Sequence, residues 1–368
     1  MFLTTACNLR CSYCYAAAGD APARFMPLSV ARRGIDFVAK NASNKGLPRF
    51  EVAFHGGGEP TVNWKTMVGA ADYARSQADR LGLSVGLGAA SNGVLNETQI
   101  EWMVEHLQGV SLSFDGLPDS HDRHRPLIGG AASSGRVMHT MRRFDEASFA
   151  YAVRMTVTED QIQNLPASIA YLCENFRVQS IQVEPAYQLG RWSNAPVAET
   201  IEFIDAFRKA RRHAVAAGRT LSFSAARLDT LTNHFCGVSQ DNFCLTPDGN
   251  VSACYEVFSE QSQRAAVFIY GHPLADAEGY SFDESRLRTL RGLAVEHRTH
   301  CHGCFAKWHC AGDCHHKALA EDAGVEFAGS NRCHITRELM KDQLLDRIAA
   351  SGGIFWHEQL RAESASSA

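Results

Sequence analysis

Short apolar runs alternate with longer amphipathic stretches from the start of the chain to Leu221. Strand-like runs fall at 1–5 (MFLTT), 50–56 (FEVAFHG), 83–91, 109–116, 149–157 and 180–186. Helix-like stretches with a 3.6-residue period fall at 29–42, 63–80, 97–107, 134–147, 161–174 and 198–217. Six βα units predict a parallel sheet with helices outside it. Right-handed crossovers would curl that sheet into a full or partial barrel, with its chemistry at the C-terminal ends of the strands. After Leu221 the period changes, Cys, His and Gly become frequent, and TPDGNV at 246–251 reads as a hairpin turn. The stretch from His334 to Ala350 reads as an amphipathic helix, and the closing RAESASSA as disordered. The fold class expected is therefore α/β: a partial (β/α)6 barrel, a small cysteine-rich domain and a C-terminal helix. The boundaries expected are 1–222, 223–335 and 336–368.

The composition narrows the function. At 368 residues and 45% hydrophobic, the chain can bury a full core. Lys and Arg number 36 against 40 Asp and Glu, a net charge of -4, which gives no reason to expect nucleic-acid or membrane-surface binding. No apolar run approaches the ~20 residues that span a bilayer, and no secretory signal opens the chain. A cytoplasmic location is expected. Twelve cysteines in such a chain point to metal or redox chemistry rather than disulfides.

The cysteines are unevenly placed. CNLRCSYC carries Cys7, Cys11 and Cys14 directly after the first strand-like run. That trio suits a [4Fe–4S] cluster short of one protein ligand, a zinc site completed by a distant His, or three unrelated thiols. HGGGEP follows the second run, from His55 to Pro60. Its glycines allow close backbone approach to a ligand, and carbonyls with a carboxylate suit an ammonium group. The third run ends in Ser91-Asn92-Gly93 and the fourth in SFDG, Ser113 to Gly116.

These features resemble the radical SAM superfamily, whose signature is C-x3-C-x-aromatic-C, here with Tyr13 as the aromatic. The resemblance implies an S-adenosylmethionine (SAM) site at Tyr13, Gly57, Gly58, Glu59, Pro60, Asn92 and Ser113. Arg154 and Glu184 are weaker members of that set, and pairing with each other is an equal reading for them. It also implies a cluster on Cys7, Cys11 and Cys14 whose open iron binds SAM and cleaves it reductively to methionine and a 5'-deoxyadenosyl radical. DSHDRHRP (119–126) resembles the loop after the fourth strand in peptide-modifying members, and most of its His and Arg residues read as solvated.

The last third resembles the SPASM domain. CHGCFAKWHCAGDC gives C-x2-C-x5-C-x3-C from Cys301, Cys333 lies further on, and upstream Cys244 precedes Gly249 and Cys254. The resemblance implies two further [4Fe–4S] clusters, three in all. One is expected on Cys236, Cys244, Cys254 and Cys314, the other on Cys301, Cys304, Cys310 and Cys333. Cys173 is left as a core thiol. Phe305 and Trp308 are expected to shield the clusters, and His309, His315 and His316 to face solvent or hydrogen-bond.

SPASM proteins act on peptides and proteins, so the expected activity is oxidative modification of a peptide. An intramolecular C–C, C–O or C–S crosslink in a ribosomally made precursor comes first. Sulfatase-maturase-like oxidation of a Ser or Cys side chain and a non-catalytic electron-transfer scaffold are the rivals. Sulfatase maturases place an Asp directly after the cysteine equivalent to Cys254; here Tyr255 and Glu256 stand there, and they are the candidate proton acceptors. With six residues before Cys7, leader recognition is expected from a separate protein or by direct contact, or the sequence is shortened at its N-terminus. A flavodoxin or ferredoxin would supply electrons.

Overall fold

A computed structural model describes residues 1–193, 199–262, 264–275, 278–317 and 329–353. The expected disordered tail at 361–368 lies outside the described residues.

Six parallel strands form one sheet in sequence order: β1 (Arg49–Phe54), β2 (Ser84–Ser91), β3 (Gly109–Ser113), β4 (Tyr151–Val157), β5 (Ser180–Pro185) and β6 (Thr220–Ser222). The connecting helices are α1 (Leu28–Asn44), α2 (Trp64–Leu81), α3 (Glu97–His106), α4 (Pro118–His124), α5 (Ser134–Glu146), α6 (Leu165–Asn175) and α7 (Thr200–Ala216). The alternation along each strand separates two faces. Phe50, Val52 and Phe54 of β1 are buried, as are Val153, Met155 and Val157 of β4, while Glu51 and Arg154 between them are exposed. The apolar face joins the core with Met67, Ala71, Ile100, Met141, Ile169 and Phe207 of the helices. Arg154 therefore points to the opposite, inner face.

Local signals set the helix ends. Asn96 and Gln99 form a reciprocal capping box at the start of α3, with bonds of 2.9 and 3.1 Å. Pro166 lies in the first turn of α6, so the predicted helix at 161–174 divides into a 3-10 turn, Glu159–Asn164, and the helix proper.

Two expectations are corrected. The run 1–5 is not a strand. It makes isolated bridges, Phe2 to His55 and Thr4 to Phe25, because its backbone is shared between the end of β1 and Leu245, which accepts from Phe2 N at 2.8 Å. The sixth strand is instead Thr220–Ser222. The loop 119–126 is also not solvated: 118–124 is helical, and His121, His124 and Arg125 are buried with polar partners.

Beyond Ser222 a small antiparallel sheet runs in the order β10-β9-β8-β7, from β7 (Cys244–Leu245), β8 (Val251–Ser252), β9 (Ile269–Pro273) and β10 (Tyr280–Phe282). The predicted hairpin turn joins β7 to β8, with Gly249 at φ +90° and its N–H donating to Thr246 O at 2.9 Å. The C-terminal helix, Asn331–Ala350, folds back onto α7, where Arg208 pairs with Glu338 and Asp342. Among the described residues no helix is long and apolar enough to cross a membrane.

Candidate functional site

The C-terminal ends of the strands carry the candidate residues, as barrel chemistry requires. The cysteine loop lies across this end. Its backbone is stitched to the turn after β1, where Gly58 N donates to Thr4 O (3.0 Å) and Glu59 N to Ala6 O (2.9 Å). No side chain fits there. A Cβ on Gly56 would lie 1.9 Å from Gly58 O, and one on Gly58 would lie 2.0 Å from Ala6 O. The Tyr15 hydroxyl donates to Gly56 O at 2.7 Å and ties the turn to the loop from the other side. Pro60 opens the 3-10 turn that leads into α2.

Glu59 is buried, and four protein donors surround its carboxylate: Thr61 N, Thr61 Oγ1, Ser91 Oγ and Asn92 N, at 2.7 to 3.2 Å. It locks the glycine turn to the end of β2. Asn92 then reaches the cysteine loop, donating from Nδ2 to Asn8 Oδ1 (2.7 Å) and lying 3.7 Å from Cys7 Sγ. Tyr13 donates to Asp115, stacks on His124 and carries the Arg125 guanidinium over its ring at 5.0 Å. Ser113 is half-buried at the end of β3, in register with Arg154.

Arg154 and Glu184 do not pair with each other. Glu184 is paired with Arg332 of the C-terminal helix at 3.0 Å. Burial pushes its carboxyl up, but Arg332, Lys317 and Arg154 outweigh that and hold it at about 2. Arg154 is exposed on the inner face, and its charge is felt by Glu184, Glu256 and Tyr15.

All twelve cysteines are free thiols. Burial pushes the Cys7 thiol up to about 12, with Glu59 and then Cys11 and Cys14 adding to the rise. Backbone N–H groups of Leu9 and Ala18 point at Cys7 and Cys14 at 3.4 and 3.5 Å. In the small domain, burial first and then Cys236 push Cys244 up to about 12, and Cys254 is raised by burial and by Cys314 and Cys244. Cys301, Cys304, Cys310 and Cys333 line one small cavity of about 20 Å³. Among the described residues no three His, Cys, Asp or Glu side chains close to the spacing of one bound metal ion. The grouping rests on mutual charge effects and on the shared cavity. Buried thiols with raised pKa values, fed by N–H donors, fit an iron–sulfur cluster, whose positive iron would supply the charge that burial withholds.

The two candidate proton acceptors differ. Tyr255 is turned toward Asn242 and Cys244, and burial with the Cys244 charge pushes its phenol up to about 12. Glu256 lies 2.7 Å from His316 Nδ1. Burial raises its carboxyl, but His316, Lys317 and Arg154 overcome that and hold it at about 2. His315 and His316 are buried, His315 hydrogen-bonded to Arg298 and His316 paired with Glu256, and His309 bonds Thr230 O at 2.9 Å. Phe305 (56% exposed) and Trp308 (42% exposed), by contrast, face outward instead of shielding the thiols. Cys173 lies on α6, half-buried against the core.

Three residues were not predicted. Asp115 sits at the centre of the Tyr13–Arg125 network, and its only sequence signal was its place in SFDG. Arg191 donates to the carbonyls of Cys11 and Ala18. Arg332 binds Glu184 and Asp313. Neither arginine lies in a patterned stretch.

A profile described as the Radical SAM superfamily matches residues 1–163. Residues 1–163 therefore form a radical SAM domain. Its relatives include the sporulation killing factor maturation protein SkfB of Bacillus subtilis (strain 168), 24% identical over 258 residues, 68% of this chain and 58% of SkfB. Fe-coproporphyrin III synthase of Methanosarcina barkeri (strain Fusaro / DSM 804) is 28% identical over 167 residues, 45% of this chain and 38% of the synthase. The radical SAM chain thus spans less than two thirds of these curated relatives. Among solved structures, native anSMEcpe with bound AdoMet superposes with a TM-score of 0.76 at 17% identity, over 96% of this chain and 98% of that one. The same protein with AdoMet and the Cp18Cys peptide gives 0.72 at 16%, over 95% and 97%. That likeness shows the α/β fold: a parallel six-stranded core, a small antiparallel sheet and a C-terminal helix.

Proposed function

We propose that this radical SAM protein is an enzyme that cleaves SAM and oxidatively modifies a peptide, by an intramolecular crosslink in a ribosomally made precursor. The observation that carries the reading is the meeting, at one barrel mouth, of the Cys7–Cys14 loop and the glycine turn with the cysteine-rich domain. Tyr15 feels the charge of Glu256 and Cys254 from the cysteine-rich domain as well as that of Cys14 and Arg154. The names of SkfB and of the peptide complex of anSMEcpe support a peptide as substrate.

When bound, a cluster on Cys7, Cys11 and Cys14 supplies the electron that cleaves SAM to methionine and a 5'-deoxyadenosyl radical. The chain's own residues do the rest. The glycine turn offers backbone to the methionine end of SAM, with Glu59 and Tyr15 holding its shape. Asn92, Tyr13 and Ser113 border the same space. Forming a crosslink removes a second electron and a proton from the substrate, and the eight further thiols would hold two clusters to take the electron. Glu256 is the better-placed proton acceptor, because it is ionised and faces the mouth, while the Tyr255 phenol stays protonated and faces Cys244.

The test is anaerobic co-expression with the short peptide encoded beside the gene, read by high-resolution mass spectrometry. Loss of two hydrogens, absent with Cys11→Ala, is expected, with fragmentation locating the bond. An unchanged mass together with SAM cleavage refutes the peptide crosslink. Oxidation of a Ser or Cys side chain in a protein would then be the reading to pursue.

A further inference from the structure

Three guanidinium groups close around the cysteine loop. Arg10, within it, donates from Nη1 to the carbonyls of Cys7 (3.0 Å) and Leu9 (2.9 Å). Arg125, just after α4, is buried with Nη1 4.0 Å from Cys11 Sγ. Arg191, in the loop after β5, donates from its backbone N to Cys14 O at 3.0 Å, from Nη1 to Cys11 O, and from Nη2 to Ala18 O at 2.9 Å. Gly190 permits that approach. It has φ +56°, and a Cβ there would lie 2.3 Å from Tyr15 O. Arg125 and Arg191 each carry a carboxylate on other nitrogens: Asp115 on Arg125 Nε at 3.0 Å, Asp20 on Arg191 Nε and Nη2 at 3.1 and 2.7 Å. Each cation thus reaches Cys11 through Nη1, the nitrogen its carboxylate leaves free, while Arg191 Nη2 is shared between Asp20 and Ala18 O.

We propose that Arg125 and Arg191, besides fixing the loop, raise the reduction potential of the iron–sulfur cluster held by Cys7, Cys11 and Cys14. This rests on reading those thiols as cluster ligands. One-electron reduction by an external low-potential donor adds one negative charge to the cluster–thiolate unit and makes or breaks no bond. Fixed cations beside a partly desolvated site favour the more negative state. Neither arginine comes from the cysteine motif, so the potential is set by the loops after the third and fifth strands.

The test is a redox titration of the anaerobically reconstituted full chain with dithionite, followed by electron paramagnetic resonance. The signal followed is the one that changes on adding SAM. Arg191→Gln and Arg125→Gln keep a donor without the charge. Each is expected to lower the reduction equilibrium constant at least tenfold, 59 mV for one electron. Arg191→Lys should recover at least half of the loss. Asp20→Asn, at an exposed position, leaves the Arg191 charge uncompensated and should move the midpoint the other way. Unchanged or raised midpoints in the Gln variants overturn the proposal. Should those variants fail to retain iron, an unmoved midpoint in Asp20→Asn overturns it instead. A parent chain with no SAM-responsive signal, or one whose signal survives Cys11→Ala, refutes the cluster reading itself rather than the role of the arginines.

Discussion

Replacing Arg332 with Met should cost the chain a measurable share of its stability. Arg332 is 2% exposed. Nε and Nη2 donate to the Asp313 carboxylate, Nη1 donates to Glu184 Oε2 at 3.0 Å and to the Tyr187 hydroxyl, and Nη2 also donates to Ser224 Oγ at 2.9 Å. Methionine fills much of the volume but leaves two carboxylates, each 3% exposed, without their cation. Breaking a buried pair from one side costs roughly 3–5 kcal/mol. The depression of Glu184 to about 2 has the same sign, with Arg332 the largest of the groups that lower it and Lys317 and Arg154 contributing beside it. An unfolding entropy of about 2.1 cal/mol/K per residue makes the Tm fall on the order of 4–6 °C for a chain of 368 residues.

The assay is anaerobic thermal unfolding of reconstituted protein, with iron content measured alongside because Cys333 is the next residue. The sign with pH is fixed. A depressed carboxylate contributes stability above its unfolded pKa and loses it as pH falls through the folded one. For Glu184 the gap between parent and variant should therefore narrow from about pH 4 toward about pH 2. For Asp313, which burial pushes up to about 7, the narrowing begins already near pH 7. Adding Glu184→Gln to Arg332→Met should restore part of the loss, with a coupling of roughly 0.5–3 kcal/mol. A variant melting within 1 °C of its parent, or a double variant that loses the full sum of both singles, would refute the reasoning.

Further outcomes are expected at the site. Gly56→Ala should weaken SAM binding at least tenfold by calorimetry, because its Cβ would lie 1.9 Å from a carbonyl oxygen; equal affinity would show that the turn adapts. Glu256→Gln should lower peptide turnover roughly 10²–10⁴-fold, with Tyr255→Phe within a few-fold; intact turnover in the first excludes Glu256 as the proton acceptor. Cys304→Ala should remove about four of about twelve iron atoms per chain while Cys173→Ser removes none, and equal iron in both would contradict a cluster in the four-cysteine cavity.

The sheet was legible because its strands and helices differ in period and are cut by plain turn signals. The cysteine groups were legible because ligand spacing is local. The misreadings share one physical cause, which is pairing across long sequence distances. His124 and Arg125 look solvated in a polar stretch. Their burial depends on Ser12, Asp160 and Asp115, up to 112 residues away. Glu184 offered Arg154, on the neighbouring strand, as a partner, whereas its cation arrives from residue 332, 148 positions later. Met1–Thr5 has the composition of a strand, yet its edge partners are a hairpin and a strand end that only the tertiary fold brings together.

The four-cysteine cavity also sets an order of events in synthesis. Three of its thiols, from Cys301, Cys304 and Cys310, leave the ribosome close together. The fourth, Cys333, belongs to the C-terminal helix, which is held in place by its docking on α7 of the first domain. That wall of the cavity can close only after translation has passed residue 333 and the last helix has found the barrel. A chain cut before that helix would lack one wall of the cavity and leave its other three thiols open to solvent.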